Sequence, residues 1–174
     1  TTTEQVQAAL RQIGISSDNP QGLFISGYFA EEEKRIAIPY NMVLASNVDE
    51  LNFLAAQLET LSAGERAELN AALQAPQSEF SSIGRITDFP ENVDYYVHLP
   101  DVRGPAQLGD YYLNRSGMVD MPEEWKGGID TAQFGRYVAQ QEQGVFTEYG
   151  YLVKSGDAWQ KVHEGQPVPE EYRV

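Results

Sequence analysis

Residues 104–117 read GPAQLGDYYLNRSG and residues 130–153 read DTAQFGRYVAQQEQGVFTEYGYLV; these two stretches decide the fold. Gly104-Pro105 signals a helix start, because proline fixes φ and lacks an N–H that would be unpaired there anyway. The following helix carries Leu108, Tyr111 and Tyr112 on one face, with Asp110 and Arg115 elsewhere on its surface, and Gly117 ends it. Pro122 opens a short turn through Trp125, which Gly127-Gly128 breaks. Asp130 reads as an N-cap, with Gln133 three residues on to complete a capping box. Its helix presents Phe134, Tyr137 and Val138 at i, i+3 and i+4 and stops at Gly144. Val145-Phe146-Thr147 and Tyr151-Leu152-Val153 alternate as strands about Gly150. Two short helices feeding a hairpin, dense in aromatics, predict a small α+β core.

Outward from this core, the period of apolar residues shifts repeatedly. Thr2 and Gln5 form a capping box for a first helix, with Val6, Ala9, Leu10 and Ile13 as its buried stripe and Gly14 as its close. Asp18 to Gly22 reads as a turn, Leu23 to Phe29 as a strand, and Glu31-Glu32-Glu33-Lys34 as a solvated connection. Arg35 to Ile38 reads as a strand and Pro39 to Leu44 as a short helix. Asn47 with Glu50, and Ser62 with Glu65, cap two stronger helices, the first carrying Leu51, Leu54, Ala55 and Leu58, the second Leu69, Ala72 and Leu73. Pro76 ends the second. Ile83 and Ile86 indicate one more short helix, and Asp94 to Leu99 a strand. Beyond Ser155-Gly156, residues 158–162 are expected to pair back, and the end around Pro167, Pro169 and Tyr172 to lie ill-ordered or at an edge. The division is an α/β start over residues 1–46, a helical middle over 47–92 and an α/β end over 93–174.

The chain has 174 residues, 41% of them hydrophobic, enough for a packed core in one domain or a few small ones. With no cysteine, disulfide and thiolate chemistry are excluded, and a reducing, cytoplasmic setting is expected. No apolar run approaches the ~20 residues that span a bilayer, and no signal peptide stands at Thr1. The chain opens on Thr1-Thr2-Thr3 without a methionine and reads as trimmed. Charge is the strongest global feature: 26 acidic against 12 basic residues, net -14. Direct binding to nucleic acid or to anionic membrane is disfavoured, since both draw affinity from protein cations. A basic protein surface is the natural partner. The acids recur from Glu4 to Glu171 instead of gathering in a tail, which indicates a folded body negative along its length.

Catalytic patterns are missing. There is no Walker loop, no G-x-G-x-x-G and no G-x-S-x-G elbow. His98 and His163 lie far apart, so no metal site and no cofactor is expected. Acids are too numerous for any pair to stand out as a glycosidase dyad. Asn114-Arg115-Ser116 matches a glycosylation sequon, but inside a predicted helix it reads as coincidence. The chain is read as a non-enzyme.

Leu51-Asn52-Phe53-Leu54-Ala55, Leu108-Gly109-Asp110-Tyr111-Tyr112, Ile129-Asp130, Phe134-Gly135-Arg136, Gly144-Val145-Phe146-Thr147 with Gly150-Tyr151, and the closing Pro169-Glu170-Glu171-Tyr172-Arg173 together resemble the ArdA antirestriction proteins. The likeness runs over most of the chain and is densest from Asn47 onward. It implies a bacterial homodimer carried by mobile genetic elements, built as an elongated chain of three small subdomains that dimerises through the last. It further implies imitation of bent duplex DNA in the DNA groove of type I restriction–modification enzymes. Two features depart from the family: its usual strand upstream of the position of Thr1 is absent, and Asp130-Thr131-Ala132-Gln133-Phe134 replaces an Asp-Tyr-Glu pattern, losing a carboxylate.

Electrostatics permits such a mimic. B-DNA carries one phosphate charge per ~1.7 Å, so twice -14, or -28 for a dimer, matches about 48 Å of duplex. Single surface pairs contribute ~0–1 kcal/mol, so many must act together. The contact acids expected under this reading are Glu31, Glu32, Glu33, Asp49, Glu50, Glu59, Glu65, Glu68, Asp88, Glu91, Asp94, Asp101, Asp110, Asp120, Glu123, Glu124 and Asp130. Tyr111, Tyr112, Phe134 and Tyr137 exceed what one small domain needs and are the expected dimer residues. An elongated dimer should exceed the ~20 Å radius of gyration of a compact one. Two other readings stay open: an acidic interaction or regulatory module of a mobile element that binds another basic protein, and an enzyme with two carboxylates of opposed pKa in a pocket.

Overall fold

A computed structural model of the chain describes residues 2–12, 35–76 and 78–173. The predicted turn, strand and Glu31-Glu32-Glu33 connection lie outside the described residues, as do Ile13 and Gly14. The chain is an α+β protein that divides into two compact units, each assembled from separated segments. One comprises Thr1–Leu61, Phe80–Glu91 and Gln160–Val174; the other comprises Ser62–Glu79 and Asn92–Trp159.

The first unit holds helices α1 (Thr3–Gln12), α2 (Tyr40–Leu44), α3 (Val48–Glu59) and α5 (Ile83–Thr87). Their starts are local chemistry. Thr2 and Gln5 exchange bonds of 2.9 and 3.3 Å, and Asn47 and Glu50 form a full capping box at 2.9 Å each way. Helix α3 packs against α5; Phe53 and Leu54 of α3 and Ile83 and Ile86 of α5 are buried, as are Ile36, Val43, Phe80 and Phe89 of the same unit. The predicted α3 stripe is therefore shifted: Phe53 is buried and Ala55 is exposed. Residues 35–38 do not form the predicted strand. Ile36 is buried and its carbonyl accepts the Ile38 N–H at 2.9 Å, a tight turn that strand geometry does not allow. The closing segment is docked, contrary to expectation. A short 3-10 turn, Glu170–Tyr172, places Tyr172 4.9 Å from the Phe53 ring, and the Asn52 side chain donates to the Tyr172 carbonyl at 2.9 Å.

The second unit contains α4 (Ala63–Gln74), capped by a Ser62–Glu65 box, and α6 (Pro105–Asp110), which continues as a π-helical turn, Tyr111–Arg115. The short α7 (Glu123–Lys126) and the longer α8 (Thr131–Glu142) follow. A three-stranded antiparallel sheet has the order β1-β3-β2, with β1 Tyr96–Leu99, β2 Val145–Thr147 and β3 Gly150–Lys154. The predicted hairpin is present, with Phe146 opposite Tyr151. The other edge of β3 is taken by β1, Leu99 opposite Tyr151, so residues 158–162 do not pair there as anticipated. Val102, Leu108 and Tyr151 centre the core, and Tyr111, Tyr112, Val138 and Phe146 pack around them.

Helices α6 and α8 cross through two glycines. A Cβ on Gly109 would stand 1.9 Å from the Thr131 carbonyl oxygen, and one on Gly135 1.8 Å from that of Pro105. Helix α8 ends where Gln143 turns left-handed at φ 57°, one residue before the predicted Gly144. Gly144 is small for another reason: the Tyr151 hydroxyl occupies the space a Cβ would need.

Candidate protein-interaction surface

Helix starts account for many of the expected contact acids. Asp49 and Glu50 lie in the first turn of α3, Glu65 in that of α4, Glu123 and Glu124 in that of α7, and Asp130 is the N-cap of α8, accepting the Gln133 N–H at 3.0 Å. At these positions a carboxylate offsets the positive end of the helix and satisfies an N–H with no partner inside it. Glu59, Glu91, Asp94, Asp101, Asp120, Glu123, Glu124 and Asp130 are exposed; Asp49, Glu50, Glu65, Glu68 and Asp110 are half-buried. Among the expected contact acids, Asp110 pairs with Arg115 at 3.1 Å and Glu123 with Lys126 at 2.6 Å.

Asp88 does not belong on this surface. It is fully buried at the end of α5, and its carboxylate accepts the backbone N–H groups of Val162 (3.3 Å), His163 (2.5 Å) and Glu164 (3.3 Å). Three donors in one loop form a cradle that an internal anion closes, so Asp88 is a structural acid.

Glu68 differs from the other acids of the second unit. Its Oε1 is buried and accepts no bond, and burial, reinforced by the nearby charges of Glu65 and Asp94, pushes its carboxyl up to about 8. Glu65, three residues earlier, is held below the usual carboxylate range by the Ser62 hydroxyl and N–H of its capping box. The two acids thus have opposed shifts. Both causes are local, because the Glu65 carboxylate is committed to its own helix start and Glu68 to a crowded flank.

The predicted dimer residues fall into two groups. Tyr111 and Tyr112 pack on the core of the second unit, their rings 5.5 Å apart and edge to face, while Tyr137 on α8 is 60% exposed and Phe134 is half-buried. Sequence reasoning missed Glu142. Its Oε1 accepts from Tyr112 at 2.5 Å and its Oε2 from Tyr151 at 3.0 Å. Burial, aided by this carboxylate, pushes both tyrosines above their ordinary range. The available signal was the pair of buried hydroxyls, each of which needs a partner.

The histidines serve separate packing roles: His98 Nε2 contacts the Tyr149 carbonyl at 2.8 Å, and His163 meets Phe53 edge-on at 5.0 Å. Among the described residues no helix is long and apolar enough to cross a membrane. Charge is divided evenly. Each unit carries 13 acidic and 6 basic residues, a net of -7 apiece.

No curated protein matches the chain. The family model described as antirestriction protein (ArdA) matches residues 1–153. The match takes in both capped helices α3 and α4, the glycine crossing of α6 and α8 and nearly all of the sheet, so the chain belongs to the ArdA antirestriction protein family.

Proposed function

We propose that this antirestriction protein acts as a mimic of bent duplex DNA that competes for the DNA groove of type I restriction–modification enzymes. The observation that carries the reading is the equal division of excess negative charge, -7 in each compact unit, in a member of an antirestriction family. A locally acidic module would concentrate its charge; a phosphate substitute needs it throughout. The contact acids are those expected from the sequence, less Asp88. Glu68 contributes only part of a charge near neutral pH, because its carboxyl titrates about 8. The working form is a homodimer, with exposed Tyr137 and half-buried Phe134 as the proposed contact and Tyr111 and Tyr112 supporting them from the core side.

Carboxylates that pair with the enzyme's arginines and lysines would draw on steering and counterion displacement more than on any single contact. The test is competition. Purified protein should displace a duplex from a type I methyltransferase, and the direct enzyme–inhibitor affinity should fall as salt rises. Absence of displacement at low salt would remove the reading for that enzyme. Capture of basic nucleoid or replication proteins without restriction subunits would favour the module reading instead.

A further inference from the structure

The two most exposed large apolar side chains among the described residues stand on one connection of the second unit: Met118 is 73% exposed and Trp125 66%. This connection, residues 116–130, joins the π-helical turn to α8 and carries the short α7. Packing gives no reason for a tryptophan there. Helix α7 has no buried residue, and no aromatic ring or cation among the described residues stacks on the indole. The usual order is inverted beside it. The Lys126 side chain is only 15% exposed and reaches Glu123 at 2.6 Å, while the neighbouring ring faces solvent. A lysine turned in and an indole turned out is the reverse of what solvation alone selects. The connection also holds four exposed acids, Asp120, Glu123, Glu124 and Asp130, against the single Lys126, a net of -3.

We propose that Trp125, with Met118 on the same connection, is an apolar anchor of the contact with the type I enzyme, seated on the cationic wall of its DNA groove. The proposal rests on the mimic reading for its partner and adds to it a contact that is not charge imitation. The charge around the ring selects this occupant. Lysines and arginines that hold phosphates carry their charged heads on apolar stems. The heads would meet the carboxylates of Asp120 and Glu124, and the stems and the cations themselves can cover the indole face. A second copy of the chain fits poorly, because a two-fold contact through this connection sets a net of -3 against itself. An anionic lipid surface is repelled in the same way. Tryptophan is among the residues that most often carry the energy of an interface, and dispersed surface pairs do not supply such an anchor. Its contribution removes no charge and so stays nearly constant with salt.

The test separates the anchor from the carboxylates by salt. Binding of the full chain to a type I methyltransferase is measured from 50 to 200 mM salt for the unaltered protein, Trp125→Ala, Trp125→Phe and Glu124→Gln. The anchor predicts about a tenfold loss for Trp125→Ala at every salt concentration, with an unchanged slope of log affinity on log salt. Trp125→Phe should recover part of the loss, and Glu124→Gln should lose less than fivefold and flatten the slope. An affinity of Trp125→Ala within twofold of the unaltered protein would overturn the anchor. Location is read separately. The chain has two tryptophans, so a Trp159→Phe chain labelled with 5-hydroxytryptophan reports on position 125 alone, excited apart from the enzyme's own tryptophans. Acrylamide should quench the free label and lose most of that access when methyltransferase is added. A label equally quenched in the complex would overturn the anchor, and so would protection that appears on concentrating the free protein, which would seat the ring on a second copy. If the unaltered protein does not bind at low salt, the mimic reading falls and the anchor with it; binding that ignores Trp125 removes the anchor alone.

Discussion

The carboxylate of Asp88 gathers the N–H groups of three consecutive residues that lie 74 to 76 positions away in the chain. Nothing around Asp88 in the sequence announces this, because the donors are backbone groups on a distant segment. Counting acids marks Asp88 as one more surface charge; the structure makes it the lock of the closing segment. Removing it leaves three donors to be satisfied by water or by nothing. Asp88→Ala should therefore cost about 3 kcal/mol, read as a lowered urea midpoint, and should speed hydrogen exchange at residues 162–164. A loss under about 0.5 kcal/mol, the level of ordinary surface substitutions, would return Asp88 to the surface. Glu68 offers the opposite case. Its folded carboxyl titrates about 8 against an ordinary 4.5, so the folded state binds the extra proton and stability falls as pH rises from 4.5 to 8. Glu68→Gln should raise stability by about 1–2 kcal/mol at pH 9, less than the full shift would give because the side chain keeps some solvent. The gain should vanish near pH 4. Denaturant titrations at the two pH values check this, and a gain independent of pH would show that the proton is not involved.

At the scale of elements, local chemistry was legible and long-range closure was not. The boxes at Thr2–Gln5, Asn47–Glu50 and Ser62–Glu65 span three residues each and form, whereas the expected box at Asp130–Gln133 forms only its cap half, the Gln133 N–H on the Asp130 carboxylate. The 145–153 hairpin was legible for the same reason. The docking of Tyr172 on Phe53 and the pairing of β1 on the far edge of β3 depend on partners dozens of residues away, where periodicity carries no information. The π-helical turn was hidden too, since Tyr111 to Arg115 has the apolar spacing of an ordinary helix. The crossing of α6 and α8 is sharper. Glycine inside a helix is ordinarily a mild weakener, yet Gly109 and Gly135 each sit against the other helix's backbone. Backbone cannot yield as a flexible side chain does, so Gly109→Ala and Gly135→Ala should each cost about 3 kcal/mol or more, above the usual range for overpacking. Thermal melts of the two variants and of the pair would test this, the pair losing less than the sum because one separation of the helices relieves both clashes. The same unit carries the Glu142 hub. Tyr112 and Tyr151 are raised above their ordinary range, so the stability they contribute is complete below pH 10 and is lost only as pH climbs through their folded values. Ultraviolet titration should show two of the ten tyrosines remaining neutral until the protein unfolds.

For the molecule as a whole, the decisive quantity is how its charges act in concert. Thirteen acids and six bases in each unit leave an equal excess on both, and single exposed carboxylates contribute too little to hold a partner alone. An interface built this way should answer to the number of charges removed more than to their identity. Neutralising one exposed acid, such as Asp101→Asn, should weaken binding to a type I methyltransferase less than fivefold. Neutralising Asp94, Asp101, Asp120 and Glu124 together should weaken it by about two orders of magnitude, if each loses ~0.7 kcal/mol. The salt dependence should change in step. Raising salt from 50 to 200 mM should lower the affinity of the unaltered protein at least tenfold, and the fourfold variant should show a shallower slope because fewer ions are displaced on binding. The Asp88→Asn variant provides the internal control, since its carboxylate faces inward: the slope should match that of the unaltered protein even where stability is lower. Fluorescence binding at four salt concentrations measures all three proteins. A fourfold variant that binds as tightly as the unaltered chain, with an unchanged slope, would mean that these carboxylates serve solubility and helix starts alone, and that the enzyme is met by some other face.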